Sequence, residues 1–328
     1  MAGLETYLMG FRLRNPIVVG ASGLTNLPDG VEKAAHSGAG AIVLKSLFEE
    51  QILAVLGEEM AGLDIDSYPD AEAFISRTAW EESTDEYLKL IDESKRRVKD
   101  VPLIASINCV GPGNWAGFAK RIEEAGADAL ELNIAYVPFA PHISGHEIEQ
   151  KVLSTVKEAR LATKLPIMVK LGNNYSSLPN LIHGLSKEGA NAVVLFNRFF
   201  RFDFNLSTMR LSGVQPLSAE TEYHESLRWT AILYKRAGVE LVSSTGIHSA
   251  DAAVKCLLAG ANAVELCSII YQKGWKVIGS ILEEMNTLVE SLGYSSLDGL
   301  QGRLSAINAE KPEEYLRLQY IKALTGVY

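Results

Sequence analysis

Cysteine is scarce in this chain. Only Cys109, Cys256 and Cys267 occur among 328 residues. Their spacing suits neither a disulfide framework nor a metal site, so a cysteine-held iron–sulfur cluster in the chain is not expected. Basic runs with interleaved aromatics are missing too, and the formal net charge is −9. Nucleic-acid binders need clustered Lys and Arg to track phosphates, so that class is set aside. No apolar run reaches membrane-spanning length. The N-terminal MAGLETYLMGFRLRNP places Arg12 and Arg14 after its apolar residues, unlike a secretion signal. No low-complexity linker divides the chain. One domain over residues 1–328 is therefore expected, in a cytoplasmic protein with no nucleic-acid or membrane partner.

What the chain has in quantity is apolar residues, 47% of the total, arranged in a recurring unit. GAGAIVL starts at Gly38, GADALEL at Gly126, GANAVVL at Gly189 and GANAVEL at Gly260. Each follows a segment of helical periodicity, as expected when a Gly closes a helix and a short buried strand follows. Between them lie NPIVVGA at 15–21, VPLIASI at 101–107, LPIMVKL at 165–171 and VELVSST at 239–245. That makes eight apolar runs alternating with amphipathic segments, among them 115–126, 146–164, 224–238 and 249–260. Ser249 is a natural N-cap for the last.

Near-continuous apolar strands, each followed by a helix, predict a parallel sheet covered on both faces. Eight of them predict a (β/α)8 TIM barrel. Residues 4–14 alternate around Gly10 and predict a hairpin before the barrel. Two connections are too long for ordinary loops: residues 46–100 after strand two, with an acidic start (Glu49, Glu50, Glu58, Glu59, Asp64, Asp66), and 197–223 after strand six, aromatic and cationic. Such insertions at carboxyl ends usually build or cover an active site.

Barrel chemistry sits at the carboxyl ends of the strands. There the sequence offers Ala21, Ser22 and Gly23; Lys45 and Ser46; Ser106 and Asn108; Glu131 and Asn133; Lys170; Asn197 and Arg198; Ser244, Thr245 and Gly246; and Cys267 and Ser268. The two lysines are the sharpest signal, because a Lys on an apolar strand is rarely buried without a ligand or a partner. The plain alternative is a lysine, Lys45 or Lys170, paired with Glu131 inside the barrel. SSTGIHSAD at 243–251 suits a phosphate-binding turn. Asn133 and Asn197 suit a planar heterocycle, or simply cap turns. Arg198 and Arg201 suit a planar or carboxylate-bearing substrate. His142 and His146 read as loop histidines without a third ligand, and Cys109 and Cys256 as core fillers.

Taken together, NPIVVGASG, the Lys-Ser of GAGAIVLKS, ELN at 131–133, VKL with Lys170, VSSTGI and ELCSI resemble the dihydroorotate dehydrogenase family of FMN barrels, closest to its soluble class 1 branch. The resemblance implies FMN as cofactor and oxidation of dihydroorotate, a step of pyrimidine biosynthesis, or flavin redox on a related dihydro-heterocycle. It also implies a small-molecule substrate, an electron acceptor it does not name, and an assembly that in this class is often a homodimer. Ala21, Ser22, Gly23, Lys45, Ser46, Asn108, Asn133, Lys170, Ser244, Thr245, Gly246, Cys267 and Ser268 would face the cofactor. Asn133, Asn197 and Arg198 would face the substrate.

The chain departs from the pattern after ELN. Where the family has Cys or Ser as the base, this sequence has Tyr136, or Val137 if the prolines are aligned, and Pro138 or Phe139 replaces the following Asn. The asparagine-rich substrate segment is missing from residues 46–100. Tyr136, with Lys45 and Lys170, is the catalytic candidate, as base or as acid. Two other readings remain: a flavin- or metabolite-binding barrel without catalysis, and a Schiff-base lyase using Lys170 or Lys45.

Overall fold

The computed structural model describes residues 3–48, 69–108, 115–134, 136–137, 140–199, 201–213 and 216–316; side chains along 69–97 and 115–124 are described from 83 and 118 onward. Cys109, the acidic residues at 49–66, Pro138 and Phe139 lie outside the described residues.

The chain opens with the expected hairpin, β1 (Thr6–Leu8) against β2 (Phe11–Leu13), with Tyr7 opposite Arg12. Next come β3 (Ile17–Val19), β4 (Ala41–Val43), the short β5 (Leu47–Phe48), β6 (Leu103–Asn108), β7 (Ala129–Ile134), β8 (Ile167–Leu171) and β9 (Ala192–Leu195). A hairpin of β10 (Phe202–Asn205) and β11 (Arg210–Gly213) follows, then β12 (Glu240–Ser243) and β13 (Ala263–Leu266). Parallel pairing runs β3–β4–β6–β7–β8–β9–β12–β13, and β13 returns to β3. The circle closes. This is the (β/α)8 barrel, and each strand overlaps its apolar run.

The helices are α1 (Pro28–His36), α2 (Pro69–Arg97), α3 (Trp115–Glu124), α4 (Gly145–Ala162), α5 (Leu178–Lys187), α6 (Tyr223–Leu233), α7 (Ala250–Ala259), α8 (Ser268–Lys273) and α9 (Val277–Ser291). The glycines heading the recurring unit, Gly38, Gly126, Gly189 and Gly260, have φ of +104°, +93°, +99° and +122°. A side chain disfavours that left-handed geometry, which ends each helix and turns the chain into the next strand. Ser249 caps α7 as expected, its hydroxyl accepting from the Ala252 N–H.

Two apolar cores follow from strand alternation. One lies between barrel and helices. The other fills the lower barrel, where Leu8, Met9 and Leu13 of the hairpin pack against Val18, Val43 and Met168. The insertion after strand two leads into α2, which packs beside α1. The insertion after strand six carries β10–β11, leaving Phe202, Phe204, Leu206, Met209 and Leu211 exposed. No helix among the described residues is long and apolar enough to cross a membrane.

Candidate active site at the barrel mouth

Successive side chains on a strand face opposite ways, so every second residue points into the barrel. Val18, Val43, Ile104, Ala129, Met168, Val194, Val242 and Ala263 form the apolar inner layer. Two residues further along those strands stand Gly20, Lys45, Ser106, Glu131, Lys170, Phe196, Ser244 and Glu265. One step along the strands, the interior turns polar.

Lys170 Nζ donates to Glu265 Oε2 at 2.5 Å, and Ser244 Oγ donates to the same oxygen at 3.1 Å. Ser106 Oγ donates to Glu131 Oε1 at 2.7 Å and lies 2.8 Å from Ser46 Oγ. From α2 the Tyr87 hydroxyl brackets Ser106, donating to its carbonyl at 2.9 Å and accepting from its N–H at 2.7 Å. Glu131 is 0% exposed, Glu265 3% and Lys170 9%. Burial pushes the Glu131 carboxyl up, Lys170 opposes the push and Glu265 adds to it, so that it titrates at about 7. Burial alone would lower the Lys170 ammonium, but Glu265 and Glu131 more than reverse this and hold it above its ordinary value. The lysine–carboxylate pairing named as the plain alternative thus exists, with Glu265 rather than Glu131 making the contact.

Above this layer a cavity of about 230 Å³ gathers much of the expected set: Ala21, Lys170, Asn197, Arg198, Ser244 to Gly246, Cys267 and Ser268. Asn197 Nδ2 donates to Asn133 Oδ1 at 2.8 Å, so the two amides do meet. Asn108 ends β6 in register with Asn133. Ser22 accepts from the Leu24 N–H at 3.3 Å. Gly23 sits where a Cβ would come within 2.9 Å of the Tyr271 hydroxyl.

Other candidates lie apart. Lys45 and Ser46 line a different cavity of about 520 Å³ beside α1 and α2, with Lys45 Nζ 5.6 Å from the centre of the Phe48 ring. Ser46 still communicates with Glu131 through Ser106. Tyr136 is half-buried, its carbonyl accepting from Asn174 Nδ2 at 3.5 Å, and it lines neither cavity. Arg198 Nε and Arg201 both donate to Glu222, at 3.0 Å and 3.1 Å. Burial raises the Glu222 carboxyl, but Arg198, the Ala219 N–H and Arg201 more than reverse it and leave it below its ordinary value.

The turn after β12 is left-handed at both Thr245 (φ +72°) and Gly246 (φ +75°). A Cβ on Gly246 would collide with the backbone of Tyr223, so Gly is required there. The Gly246 N–H donates to Ser218 Oγ at 3.2 Å, the Ser218 N–H donates to Ser268 Oγ at 2.9 Å, and Ser218 Oγ lies 3.0 Å from His248 Nε2. Among the described residues no three His, Cys, Asp or Glu side chains group to hold a metal.

Sequence reasoning missed Glu265, Ser218 and Glu222. For Glu265 a signal was present: it holds the same place in GANAVEL as Glu131 holds in GADALEL, two residues before an inward residue at the strand end. For Ser218 and Glu222 there was none, because they reach the site only through the folding of a long insertion.

Comparison with known proteins bears directly on this site. The family model described as dihydroorotate dehydrogenase matches residues 3–289. Dihydroorotate dehydrogenase B (NAD(+)) catalytic subunits from Pyrococcus abyssi and Methanothermobacter thermautotrophicus are 28% and 27% identical to this chain over 317 residues. Those alignments cover 91% of this chain and 98% and 97% of the relatives. The corresponding subunit of Thermococcus kodakarensis is 28% identical over 320 residues, covering 92% of this chain and 98% of its own. A match along the whole barrel, with relatives aligned almost end to end, means that the chain belongs to the dihydroorotate dehydrogenase family, oxidoreductases acting on a CH–CH bond.

Proposed function

We propose that the chain is an FMN-dependent oxidoreductase that oxidises dihydroorotate, or a closely related dihydro-heterocycle, with the cofactor lying across the barrel mouth beside Lys170. The observation that carries this reading is a lysine held charged at the floor of the mouth cavity, within a family whose name states the substrate.

The residues present fit the cofactor. The cavity of about 230 Å³ shares Phe196, Asn197, Arg198, Ser244 and Thr245 with a second of about 620 Å³, and together they reach the size range of ligand sites. The floor offers the Lys170 ammonium as a donor, and the facing amides of Asn133 and Asn197 add both donors and acceptors. A ring edge carrying both carbonyl and N–H groups needs such a mixture. At the other end the Gly246 N–H and Ser268 hydroxyl meet through Ser218, so a phosphate bound there takes the place of Ser218.

FMN, when bound, supplies a two-electron acceptor for the hydride leaving the substrate carbon. Lys170 offsets negative charge arriving at the pyrimidine edge of the site. Ala21, Ser22 and Gly23 keep one wall thin, while Asn133 and Asn197 present paired amides to substrate and cofactor. Thr245, Gly246, Cys267 and Ser268 form the phosphate end; Asn108 borders the substrate side, while Lys45 and Ser46 stand in the neighbouring cavity beside α2, from which Ser46 reaches Glu131 through Ser106. Tyr136 handles the substrate proton, and Arg198, already held by Glu222, orients an acidic substrate group. A Schiff-base lyase would need a neutral lysine. The carboxylates around Lys170 oppose that.

In this reading the chain works in the cytoplasm as a homodimer. NAD(+), named for the relatives, is the first electron acceptor to try. Anaerobic mixing with dihydroorotate should bleach the flavin absorbance of loaded protein, and unchanged absorbance would refute dihydroorotate as substrate. Tyr136→Phe should lower turnover by about 10²–10⁴-fold without releasing flavin. Unchanged turnover would remove Tyr136 from the proton-handling role.

A further inference from the structure

Glu131 comes to Lys170 from the neighbouring strand β7, and Glu265 reaches it from β13 across the barrel. Donors are short at this meeting point. Lys170 Nζ and Ser244 Oγ both serve Glu265 Oε2, and Ser106 Oγ serves Glu131 Oε1. Among the described residues, Glu131 Oε2 and Glu265 Oε1 are buried without a donor. Glu131 and Glu265 both bear on Lys170 from the same inward layer of the barrel, and the charge of Glu265 adds to the upward push on the Glu131 carboxyl.

Two ionised carboxylates and one ammonium would leave a full negative charge uncompensated in a buried site. One proton held between the carboxyls answers both difficulties. It supplies the missing donor, and it makes the group of three neutral. Carboxyl pairs that share a proton for this reason are a recurrent arrangement, and they titrate as a unit.

We propose that Glu131 and Glu265 hold one proton between them against Lys170, and that the pair takes up a second proton when the cofactor above it is reduced. The first half stands on the two orphaned carboxyl oxygens and the charge count; the second rests on the FMN reading. A hydride brings two electrons and one proton, so its arrival adds one negative charge to the site. A proton from solvent bound by the carboxyl pair cancels that charge, and Lys170, released from its counter-ions, turns its charge to the cofactor. Reoxidation removes the hydride and returns the solvent proton. Charge and protons balance over the cycle.

The other groups facing the pair do not compete for this role. Burial raises the Tyr87 hydroxyl on α2 and the Cys267 thiol beyond β13, which keeps both neutral. Ser106 and Ser244 do not titrate at these pH values. Glu265 acts through Lys170 and Glu131 and is a positioning residue.

Two measurements decide the matter. In carboxyl-carbon NMR of the protein without added cofactor, Glu131 should titrate near about 7 and move down in Glu265→Gln. Titration in the ordinary carboxylate range, or no movement in the variant, overturns the shared proton. In potentiometry of FMN-loaded protein across neutral pH, the wild type should take up two protons per two electrons. The double variant Glu131→Gln/Glu265→Gln should take up one, halving the slope of midpoint potential against pH. Glu131→Gln alone, which keeps the Lys170–Glu265 contact, should give the same halving with less disturbance, and Glu265→Asp should keep the steep slope. Equal slopes in wild type and both Gln variants overturn the redox link alone. A wild-type protein that takes up no FMN overturns the redox link and the cofactor reading together, and leaves the carboxyl titration to decide the shared proton.

Discussion

The lower and upper layers of this barrel are built by the same strands, yet they obey opposite rules. Below, Val18, Val43, Ile104, Met168 and Val242 pack against Leu8, Met9 and Leu13 of the hairpin, with Glu240 accepting from the Met9 N–H at the edge of the layer. One inward step along, Ser106, Glu131, Lys170, Ser244 and Glu265 are buried too, but are held by hydrogen bonds and ion pairs. The lower layer gains its stability from area removed from water and from tight packing. The upper layer gains little net stability, because taking charges out of water offsets much of their attraction. It is placed where a ligand can use it. A barrel of this kind keeps stability at one end and chemistry at the other.

The most severe disruption of the upper layer is Lys170→Met. It removes the charge that balances two buried carboxylates and should cost about 3–5 kcal/mol in chemical denaturation at neutral pH. A loss below about 1 kcal/mol would mean that the upper layer is well hydrated. Next comes Met168→Ala, one step below, expected to cost about 2–4 kcal/mol through the cavity it leaves. FMN uptake should survive in the folded protein, since the Met168 side chain belongs to the apolar layer; loss of uptake at retained fold would join the two layers functionally.

A pH series sharpens the contrast. The Glu131 carboxyl titrates at about 7 in the fold against an ordinary 4.5, so between those values the folded state binds more protons than the unfolded. Its stabilising contribution is therefore complete below about 4.5 and is lost as pH rises through about 7. Denaturation midpoints should fall over that interval in the wild type and fall less in Glu131→Gln. Identical pH profiles would show that Glu131 has no raised titration. The smallest effect belongs to Ser218→Ala, about 1 kcal/mol for lost hydrogen bonds to Gly246 and His248. Because a phosphate would replace that hydroxyl, the same substitution should leave FMN affinity equal or tighter, and weaker binding would place Ser218 among the cofactor's own contacts.

Much of this architecture was legible before any coordinates. The eight apolar runs, the glycines that start four of them and the Ser249 cap follow from local rules of periodicity and φ. So does the identity of Lys170 as an unusual residue. What was not legible is who answers Lys170. Glu265 is distant in sequence and meets the lysine only when the circle of strands closes, although its place in the repeated unit pointed inward. Lys45 illustrates the converse: the same strand-end logic that finds Lys170 brings Lys45 to a separate cavity beside α2, because the insertion after strand two passes there. Arg198 was expected at a substrate, and its guanidinium is bound to Glu222, a partner that a long hairpin insertion brings back. Long-range contacts made by insertions have no local signature, and they decide which charges a site has to offer.

The central claim is that FMN sits at the mouth above Lys170. The most direct test is the visible absorption spectrum of purified protein equilibrated with FMN and then freed of unbound cofactor. Flavin bands should stay with the protein at about one FMN per chain and be released intact on heating. A folded protein that remains colourless after this treatment would contradict the claim.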